Sequence, residues 1–89
     1  MGKTNDIFLD MLPTIDLHGY DRESARVKVN DFVMESKILN QKEILIIHGI
    51  GEGIVKKAVH QTLSKNKDVL EYKIVNSNVG CTIVKINTN

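Results

Sequence analysis

The fold is decided by residues 43–53, which read EILIIHGIGEG. The first part is a continuous apolar run of strand length, typical of a strand that is covered on both faces. The second part begins at His48 and places a glycine at every second position. A helical pattern follows, with apolar or small residues at the spacing of one helix face: Val55, Ala58, Val59, Thr62 and Leu63. This region therefore predicts a strand, a glycine loop and a helix.

The same arrangement occurs 30 residues earlier, with a shorter strand. Residues 14–18 read TIDLH and alternate in polarity, so that Asp16 and His18 share one face of the strand before a glycine. Asp21 is the predicted N-cap of a helix over residues 22–37. The helical spacing predicts one buried face on it, made of Ala25, Val29, Phe32, Val33 and Ser36. The chain thus contains two successive units of a strand, a His-Gly corner and a helix.

Pro13 marks the start of the folded part. It disfavours a helix at the residue before it and has no N–H for strand pairing, so a boundary is expected there. Residues 1–12 mix polar and apolar side chains without a regular period. We therefore expect a flexible N-terminal arm over residues 1–12 and a single folded domain over residues 13–89.

Two strand-like runs close the chain, at residues 69–75 and 81–86, and turn-forming residues 76–80 separate them. The order of elements is β-α-β-α-β-β. Units of strand, helix and strand fold as right-handed crossovers with parallel strands, so both helices should cover one face of a small mixed sheet. The last two strands are expected to form an antiparallel hairpin at one side of it. The predicted fold class is a two-layer α/β sandwich.

The composition excludes several classes of protein. With 42% hydrophobic and 26% charged residues among 89, the chain has the usage of one folded domain and not of a disordered segment. Twelve Lys and Arg against 11 Asp and Glu give a net charge of +1, which excludes a polybasic tail or an acidic mimic. No apolar run approaches the roughly 20 residues of a membrane span, and the N-terminus has no signal-peptide core. The single Cys81 has no disulfide partner in the chain. A cytoplasmic location without membrane contact is expected.

The two His-Gly corners form the candidate site. If their strands are parallel and close, His18 and His48 both lie at the carboxyl edge of the sheet, where open α/β sheets bind ligands. Asp16 is placed to orient an imidazole or to help hold a cation. Glycines let the backbone approach an anion, and the first turn of the second helix adds N–H groups and positive charge. The residues predicted to bind phosphate in this way are Gly49, Gly51, Gly53, Lys56 and Lys57.

Each of these features also has a purely structural explanation. A histidine at a strand end is often a capped structural residue, and many glycine-rich loops are tight turns before helices. The loop is not a Walker loop, because Lys56 does not stand in a Gly-Lys-Ser/Thr context. Cys81 is predicted to be a small core residue. A further alternative is a divalent metal site made by Asp16, His18 and His48.

At these residues the sequence resembles the small MutS-related domain family, the Smr domain. The family's Leu-Asp-Leu-His-Gly block is matched by residues 15–19, IDLHG, and its His-Gly-x-Gly-x-Gly block by residues 48–53, HGIGEG. A third block, usually rich in glycine before the last strand, is matched at Gly80 and Thr82. The resemblance covers about residues 13–87.

The resemblance implies a fold like the C-terminal domain of bacterial translation initiation factor three. It also implies nucleic-acid binding with endonuclease or nicking activity, which many members of the family have. The substrates it implies are DNA, in repair or recombination, or RNA, including cleavage at stalled ribosomes. Because the third block has few glycines, one wall of the site is expected to differ from the family's pattern.

Our leading hypothesis is an endonuclease domain that cleaves DNA or RNA phosphodiesters at this edge. His18 is the predicted general base or acid, oriented by Asp16, and His48 supplies the opposite proton transfer or binds the scissile phosphate. Arg22 and Arg26, on the first helix, are predicted to extend the nucleic-acid footprint. RNA carries its own 2′-hydroxyl nucleophile, whereas for DNA a Mg²⁺ ion near Asp16 is expected to activate water. The alternative is a non-catalytic module that binds nucleic acid or a ribosomal surface.

Overall fold

In the computed structural model, the chain folds into four strands and two helices in the predicted order. The structure describes residues 11–51, 53–76 and 78–89. The elements are β1 (Thr14–Asp16), α1 (Arg22–Ile38), β2 (Glu43–Ile47), α2 (Ile54–Lys65), β3 (Val69–Val75) and β4 (Asn78–Ile86). The predicted α/β fold class with β-α-β-α-β-β order is confirmed.

The four strands form one mixed sheet in the order β1-β2-β4-β3. β1 and β2 are parallel neighbours, and β4 is antiparallel to both β2 and β3. β3 therefore runs in the same direction as β1 and β2, as the crossover argument requires. The predicted terminal hairpin is present, and its second strand lies inside the sheet, next to β2.

α1 has the predicted N-cap, and both helices bury the faces that the sequence predicts. The Asp21 carboxylate accepts a hydrogen bond of 2.7 Å from the N–H of Ser24, which caps α1. All five residues of its predicted inner face are buried: Ala25, Val29, Phe32, Val33 and Ser36. On α2 the buried residues are Ala58, Val59, Thr62 and Leu63. Neither α1 nor α2, the helices of the part of the chain that the structure describes, is long and apolar enough to cross a membrane.

The core lies between the helices and one face of the sheet. Ile44 and Ile46 of β2 are fully buried in this cluster, together with residues of α1 and α2. Leu45, between them, points to the opposite face and packs in a smaller cluster with Val75 and Cys81. β2 is therefore covered on both faces, as its apolar run predicts, and Cys81 is the buried core residue expected.

Two of the predicted strand boundaries are wrong. The hairpin turn is shorter than residues 76–80, because β4 begins at Asn78, which pairs with Val75 across a register shift. β1 ends at Asp16 and not at residue 18, since the chain turns there and the Tyr20 N–H bonds to the Leu17 carbonyl at 3.0 Å. β1 begins at Thr14, directly after Pro13, as the sequence predicts. Residues 1–10 of the expected arm lie outside the described residues.

The burial of β2 predicts which apolar side chains stabilise the domain. Ile46→Ala removes a fully buried side chain from the core cluster and should lower the free energy of unfolding by about 2–5 kcal/mol. Leu70→Ala is the matched control, since Leu70 is 65% exposed on β3 and its loss should cost less than about 0.5 kcal/mol. Urea denaturation followed by circular dichroism measures both. Equal effects of the two substitutions would contradict this view of the core.

Candidate active site

The pairing of β1 with β2 brings the two His-Gly corners together at the carboxyl edge of the sheet. Ile15 pairs with Ile46, 31 residues later, so the structural register is one residue off the 30-residue sequence repeat. The shift sets His18 beside Gly49, where a Cβ added to Gly49 would lie 3.3 Å from the His18 Cβ. Gly49 also has a φ of +83°, which side-chain-bearing residues rarely adopt. A glycine is therefore required where the two corners meet.

A cavity of about 690 Å³ opens at this edge, and we call it the edge cleft. The β1–α1 corner, the β2–α2 loop, the start of α2 and the start of β4 form its walls. Its lining residues are His18, Gly19, Ile47, His48, Gly49, Ile50, Gly51, Gly53, Ile54, Val55, Lys56, Asn78, Gly80 and Cys81. The cleft thus collects most of the residues that the sequence predicted for the site.

His18 and Asp16 form an exposed pair beside the edge cleft. The Asp16 Oδ1 atom lies 2.6 Å from His18 Nδ1 and also accepts the His18 backbone N–H at 3.1 Å. Since a carboxylate accepts and does not donate, Nδ1 carries a proton and Nε2 is the basic nitrogen of the ring. The side chains of His18 and Asp16 are 73% and 49% exposed. The pair can therefore meet a large substrate from solvent.

His48 has a different environment, although its motif is the same. Its side chain is buried, its Nδ1 lies 3.0 Å from the Gly49 carbonyl, and its Nε2 lies 2.8 Å from the Thr82 hydroxyl. The carbonyl can only accept, so Nδ1–H donates to it and Nε2 accepts the Thr82 O–H. Both ring nitrogens of His48 are thus engaged in holding β2, β4 and the glycine loop together.

Two further residues, Thr82 and His60, complete this hydrogen-bond chain. The His60 Nε2 atom lies 2.8 Å from the same Thr82 hydroxyl, and because that hydroxyl donates to His48, the His60 N–H donates to it. The His60 ring also packs against Tyr72, with 5.2 Å between ring centroids. The sequence alone does not assign these residues to the site, although Thr82 matches the family's third block and is a polar residue inside the apolar run of the last strand.

Burial lowers the pKa of both histidines in this chain below the usual imidazole value. For His48, desolvation is the main cause and the charge of Lys56 adds to it, while the bond to the Gly49 carbonyl opposes it. For His60, desolvation is again the main cause, followed by the repulsion that a protonated His48 would exert and by the charge of Lys56. Both rings are therefore neutral at pH 7.

Close backbone packing fixes the glycine loop. The N–H groups of His48 and Gly49 donate to the Gly80 carbonyl at 2.9 and 3.0 Å. A Cβ on Gly80 would come within 3.3 Å of the Gly49 carbonyl carbon. Gly53 then adopts a left-handed φ of +84° as the N-cap of α2 and supplies no side-chain cap. The N–H groups of the first turn of α2 consequently face the loop without a capping side chain.

The structure does not bring all the predicted phosphate-binding residues into the edge cleft. Lys56 lines it, whereas Lys57 lines a neighbouring pocket of about 480 Å³ beside His60 and Tyr72. Arg22 and Arg26 line a groove between α1 and α2 of about 340 Å³, which we call the helix groove. Arg26 is paired there with Glu23 at 2.9 Å. The predicted footprint therefore covers three adjoining surfaces.

The structure does not support the alternative of a three-ligand metal site. Among residues 11–51, 53–76 and 78–89, no three His, Cys, Asp or Glu side chains are grouped so that they could hold a metal ion. Asp16 and His18 contact each other, but both ring nitrogens of His48 are taken by Gly49 and Thr82. The reading of Asp16, His18 and His48 as a metal triad is thus wrong, because the third ligand points into the protein.

Comparison with known families agrees with the fold. The model of the Smr domain matches residues 15–87, and the chain belongs to the Smr domain family. Among curated proteins it is 33% identical to the endonuclease MutS2 of Streptococcus suis over 73 residues, 79% of this chain. It is 37% identical to the endonuclease MutS2 of Halothermothrix orenii over 62 residues, 70% of this chain. The matches span only 9% and 8% of those proteins.

Two solved structures share the fold. The crystal structure of the Smr domain of Thermus thermophilus MutS2 aligns with a TM-score of 0.81 at 23% identity, covering 84% of this chain and 98% of that one. The stand-alone small MutS-related protein YdaL from Escherichia coli aligns with a TM-score of 0.76 at 24% identity. That alignment covers 82% of this chain and 63% of YdaL. The β-α-β-α-β-β sandwich is therefore the Smr fold.

The contact between Gly49 and His18 predicts different costs at two glycines with the same backbone conformation. Gly19 and Gly49 both have a φ of +83°, but only at Gly49 would a Cβ meet another side chain. Alanine at either position should cost about 1–3 kcal/mol from backbone strain, and Gly49→Ala about 1–3 kcal/mol more from overpacking. Urea unfolding measures the difference. If the two variants lose the same stability, Gly49 is not packed beneath His18.

The buried histidines predict that the domain loses stability as the pH falls. In the unfolded chain a histidine binds a proton at a pKa of about 6.5, whereas the folded pKa values of His48 and His60 are lower. The unfolded state therefore binds more protons between about pH 7 and the folded pKa values, and the free energy of unfolding decreases across that window. Urea titrations at pH 7.5 and pH 5.5 measure the loss. In His60→Gln, whose amide can still donate to Thr82, the loss should be smaller, and a loss of unchanged size would exclude His60 as a contributor.

Proposed function

We propose that this domain cleaves nucleic-acid phosphodiesters, with His18 as the group that moves the proton of the attacking oxygen. The observation that carries the proposal is the exposed Asp16–His18 pair beside the edge cleft, with 2.6 Å between the carboxylate oxygen and Nδ1. The carboxylate fixes the tautomer and the orientation of the ring, and His18 Nε2 is left to accept a proton. Histidine is the side chain best suited to this task near neutral pH.

His48 is a positioning residue in this proposal and not a second catalyst. Its side chain is 4% exposed, and its ring nitrogens are bonded to Gly49 and Thr82. To transfer a proton to substrate it would have to break one of these bonds and reach the surface. Its role is to fix the Gly49 carbonyl and with it the loop that lies against His18.

Phosphate binding is assigned to the glycine loop and the start of α2. The first turn of α2 contains no acidic side chain, and Lys56 lines the edge cleft beside it. Backbone N–H groups and a lysine together favour a phosphodiester there. Lys57, Arg22 and Arg26, on the adjoining surfaces, are proposed to contact flanking phosphates.

The chemistry differs between the two nucleic acids. On RNA, the 2′-oxygen forms a bond to phosphorus as its proton passes to His18 Nε2, and the bond from phosphorus to the 5′-oxygen breaks. The departing oxygen takes a proton from water, which leaves a 2′,3′-cyclic phosphate and a 5′-hydroxyl, and His18 returns its proton to solvent. On DNA the attacking oxygen would come from water: as it bonds to phosphorus its proton would pass to His18 Nε2, while the bond from phosphorus to one ester oxygen breaks and that oxygen takes a proton from solvent. A Mg²⁺ ion held by the Asp16 carboxylate together with substrate phosphates would lower the pKa of the attacking water.

The comparisons support this proposal from the family side. The curated relatives carry the word endonuclease in their names, and the Smr domain of a MutS2 protein, that of Thermus thermophilus, shares the fold of this chain. Because the chain corresponds to less than a tenth of each, the activity of the whole relative is proposed for this domain and rests on the site geometry.

The test is cleavage of single-stranded, duplex and branched RNA and DNA of matched sequence, with and without EDTA. His18→Ala should reduce cleavage about 10²–10⁴-fold while circular dichroism and unfolding stay unchanged, because an exposed side chain is removed. Lys28→Ala, an exposed residue of α1 outside the edge cleft, is the control and should cleave normally. A cyclic phosphate product identifies the RNA reaction, and loss of activity in EDTA identifies a metal-dependent one.

Normal cleavage by His18→Ala would refute the assignment of His18. If the wild type cleaves nothing but binds with an affinity that falls with salt, and if Lys56→Ala with Lys57→Ala weakens binding further, the domain is the non-catalytic binding module instead.

A further inference from the structure

The walls of the edge cleft are apolar, although the cleft is open to solvent. Ile50 is 69% exposed and Ile54 is 52% exposed at its rim, and Ile47, Val55 and Cys81 lie further in. Scattered exposed apolar side chains are ordinary in soluble proteins. Here two isoleucines line the same cavity as His18, which makes them candidates for substrate contact and not scattered surface residues.

Charge is distributed differently between the cleft and the helix groove. Lys56 is the one Lys or Arg among the described residues that line the edge cleft, whereas Arg22, Arg26 and Lys65 line the helix groove, where Glu23 pairs with Arg26. A phosphate backbone is favoured by cations and hydrated surfaces and gains nothing from aliphatic walls. The two surfaces therefore suit different parts of one nucleic-acid strand.

The size of the cleft suits a single nucleoside. Its volume of about 690 Å³ lies within the usual range of small-ligand pockets, about 300–1,000 Å³. Within a duplex both faces of each base are covered by its stacked neighbours, so a paired base cannot lie against a protein wall. An unpaired base can turn out of the strand and stack on apolar side chains, as it does in proteins that bind flipped or splayed bases.

We propose that the edge cleft seats one unpaired nucleobase next to the scissile phosphate, so that the domain prefers single-stranded or locally unpaired nucleic acid. The base lies between Ile50 and Ile54, while its phosphate reaches Lys56 and His18 at the rim. This inference rests on the proposed function for the position of the phosphate, but the base contact can be measured as binding alone. In this proposal, Ile50 and Ile54 select the substrate although neither side chain takes part in the chemistry.

The experiment pairs a protein change with a base deletion. Binding of a labelled single strand of about 12 nucleotides is measured by fluorescence anisotropy, and abasic residues replace each base in turn. His18→Asn is used as the background for binding, so that the strand stays intact, and cleavage is measured in parallel with native His18. One abasic position should weaken binding about ten-fold, and the same position should lie beside the cleavage site.

Ile50→Ser should weaken binding of the intact strand by a similar factor but should cause no further loss on the strand that already lacks the base. This non-additivity is the signature of a direct contact between the two groups. Leu70→Ser is the matched control, because Leu70 is 65% exposed but lies near the start of β3, at the opposite edge of the sheet, and should change nothing. A duplex of the same sequence should bind more weakly than the single strand.

If Ile50→Ser weakens binding of the intact and the abasic strand by the same factor, the proposal of a base bound in the edge cleft is wrong. Duplex binding as tight as single-strand binding would also overturn it. If no abasic position changes the binding affinity, the proposal is wrong as well, and the exposed isoleucines would be assigned to contact with a protein partner. These outcomes are separate from those of the proposed function. If no strand is cleaved but the non-additive binding is found, the proposed cleavage is wrong and the proposed base contact is supported. If strands are cleaved but the binding effect is missing, the proposed cleavage is supported and the base contact is wrong.

Discussion

One buried hydroxyl connects the parts of this structure on which the site depends. Thr82, on β4, lies 2.8 Å from a ring nitrogen of His48, which follows β2, and 2.8 Å from a ring nitrogen of His60, on α2. The Thr82 hydroxyl donates its proton to His48 Nε2 and accepts the N–H of His60 Nε2. The two neutral histidines therefore hold different tautomers, with the proton on Nδ1 in His48 and on Nε2 in His60. A buried polar group without a partner costs about 1–3 kcal/mol. Removal of any one of the three side chains would leave a neighbour without its partner, so the fold depends on all three together. Through His48 the chain of bonds reaches the Gly49 carbonyl, and Gly49 is the surface on which His18 rests.

The order of strands explains why two copies of one motif have different fates. β1 is an edge strand, so the histidine that follows it emerges into solvent beside its own carboxylate. β2 is an inner strand with β4 as its other neighbour, and the histidine that follows it is covered by β4 and α2. The same His-Gly pair is thus exposed to solvent in one setting and buried in the other. Repetition in the sequence predicted where both histidines lie, and sheet position decides what each can do.

Much of the fold was predictable because local patterns determine it. The apolar run of β2 and the helical spacing on α1 each required burial on particular faces, and the buried residues are those predicted. The bond from Asp21 to the first turn of α1 followed from its place before the helix. Pro13 set the start of β1 because it can neither continue a helix nor donate to a sheet.

The remaining features depend on long-range pairing that no local pattern contains. His48 and Thr82 are 34 positions apart and meet because β4 lies between β2 and β3. The sequence predicts that β3 and β4 form a hairpin, but it does not determine which of the two strands lies next to β2. The one-residue difference between the sequence repeat and the strand register likewise depends on backbone pairing, since Gly49 and not Gly19 had to accommodate the other corner.

The near-neutral net charge is also explained by arrangement. α2 carries Lys56, Lys57 and Lys65 and no acidic residue, and Arg22 and Arg26 face it across the helix groove. Positive charge is therefore concentrated along α2, although the chain as a whole carries only +1. Because a screened field acts over about 8 Å at physiological salt, a nucleic-acid strand lying along α2, as proposed, would experience this local charge and not the net value. In the proposed function, backbone binding and the chemistry at His18 would use separate surfaces, which meet at Lys56, where the positive surface of α2 adjoins the apolar walls of the edge cleft.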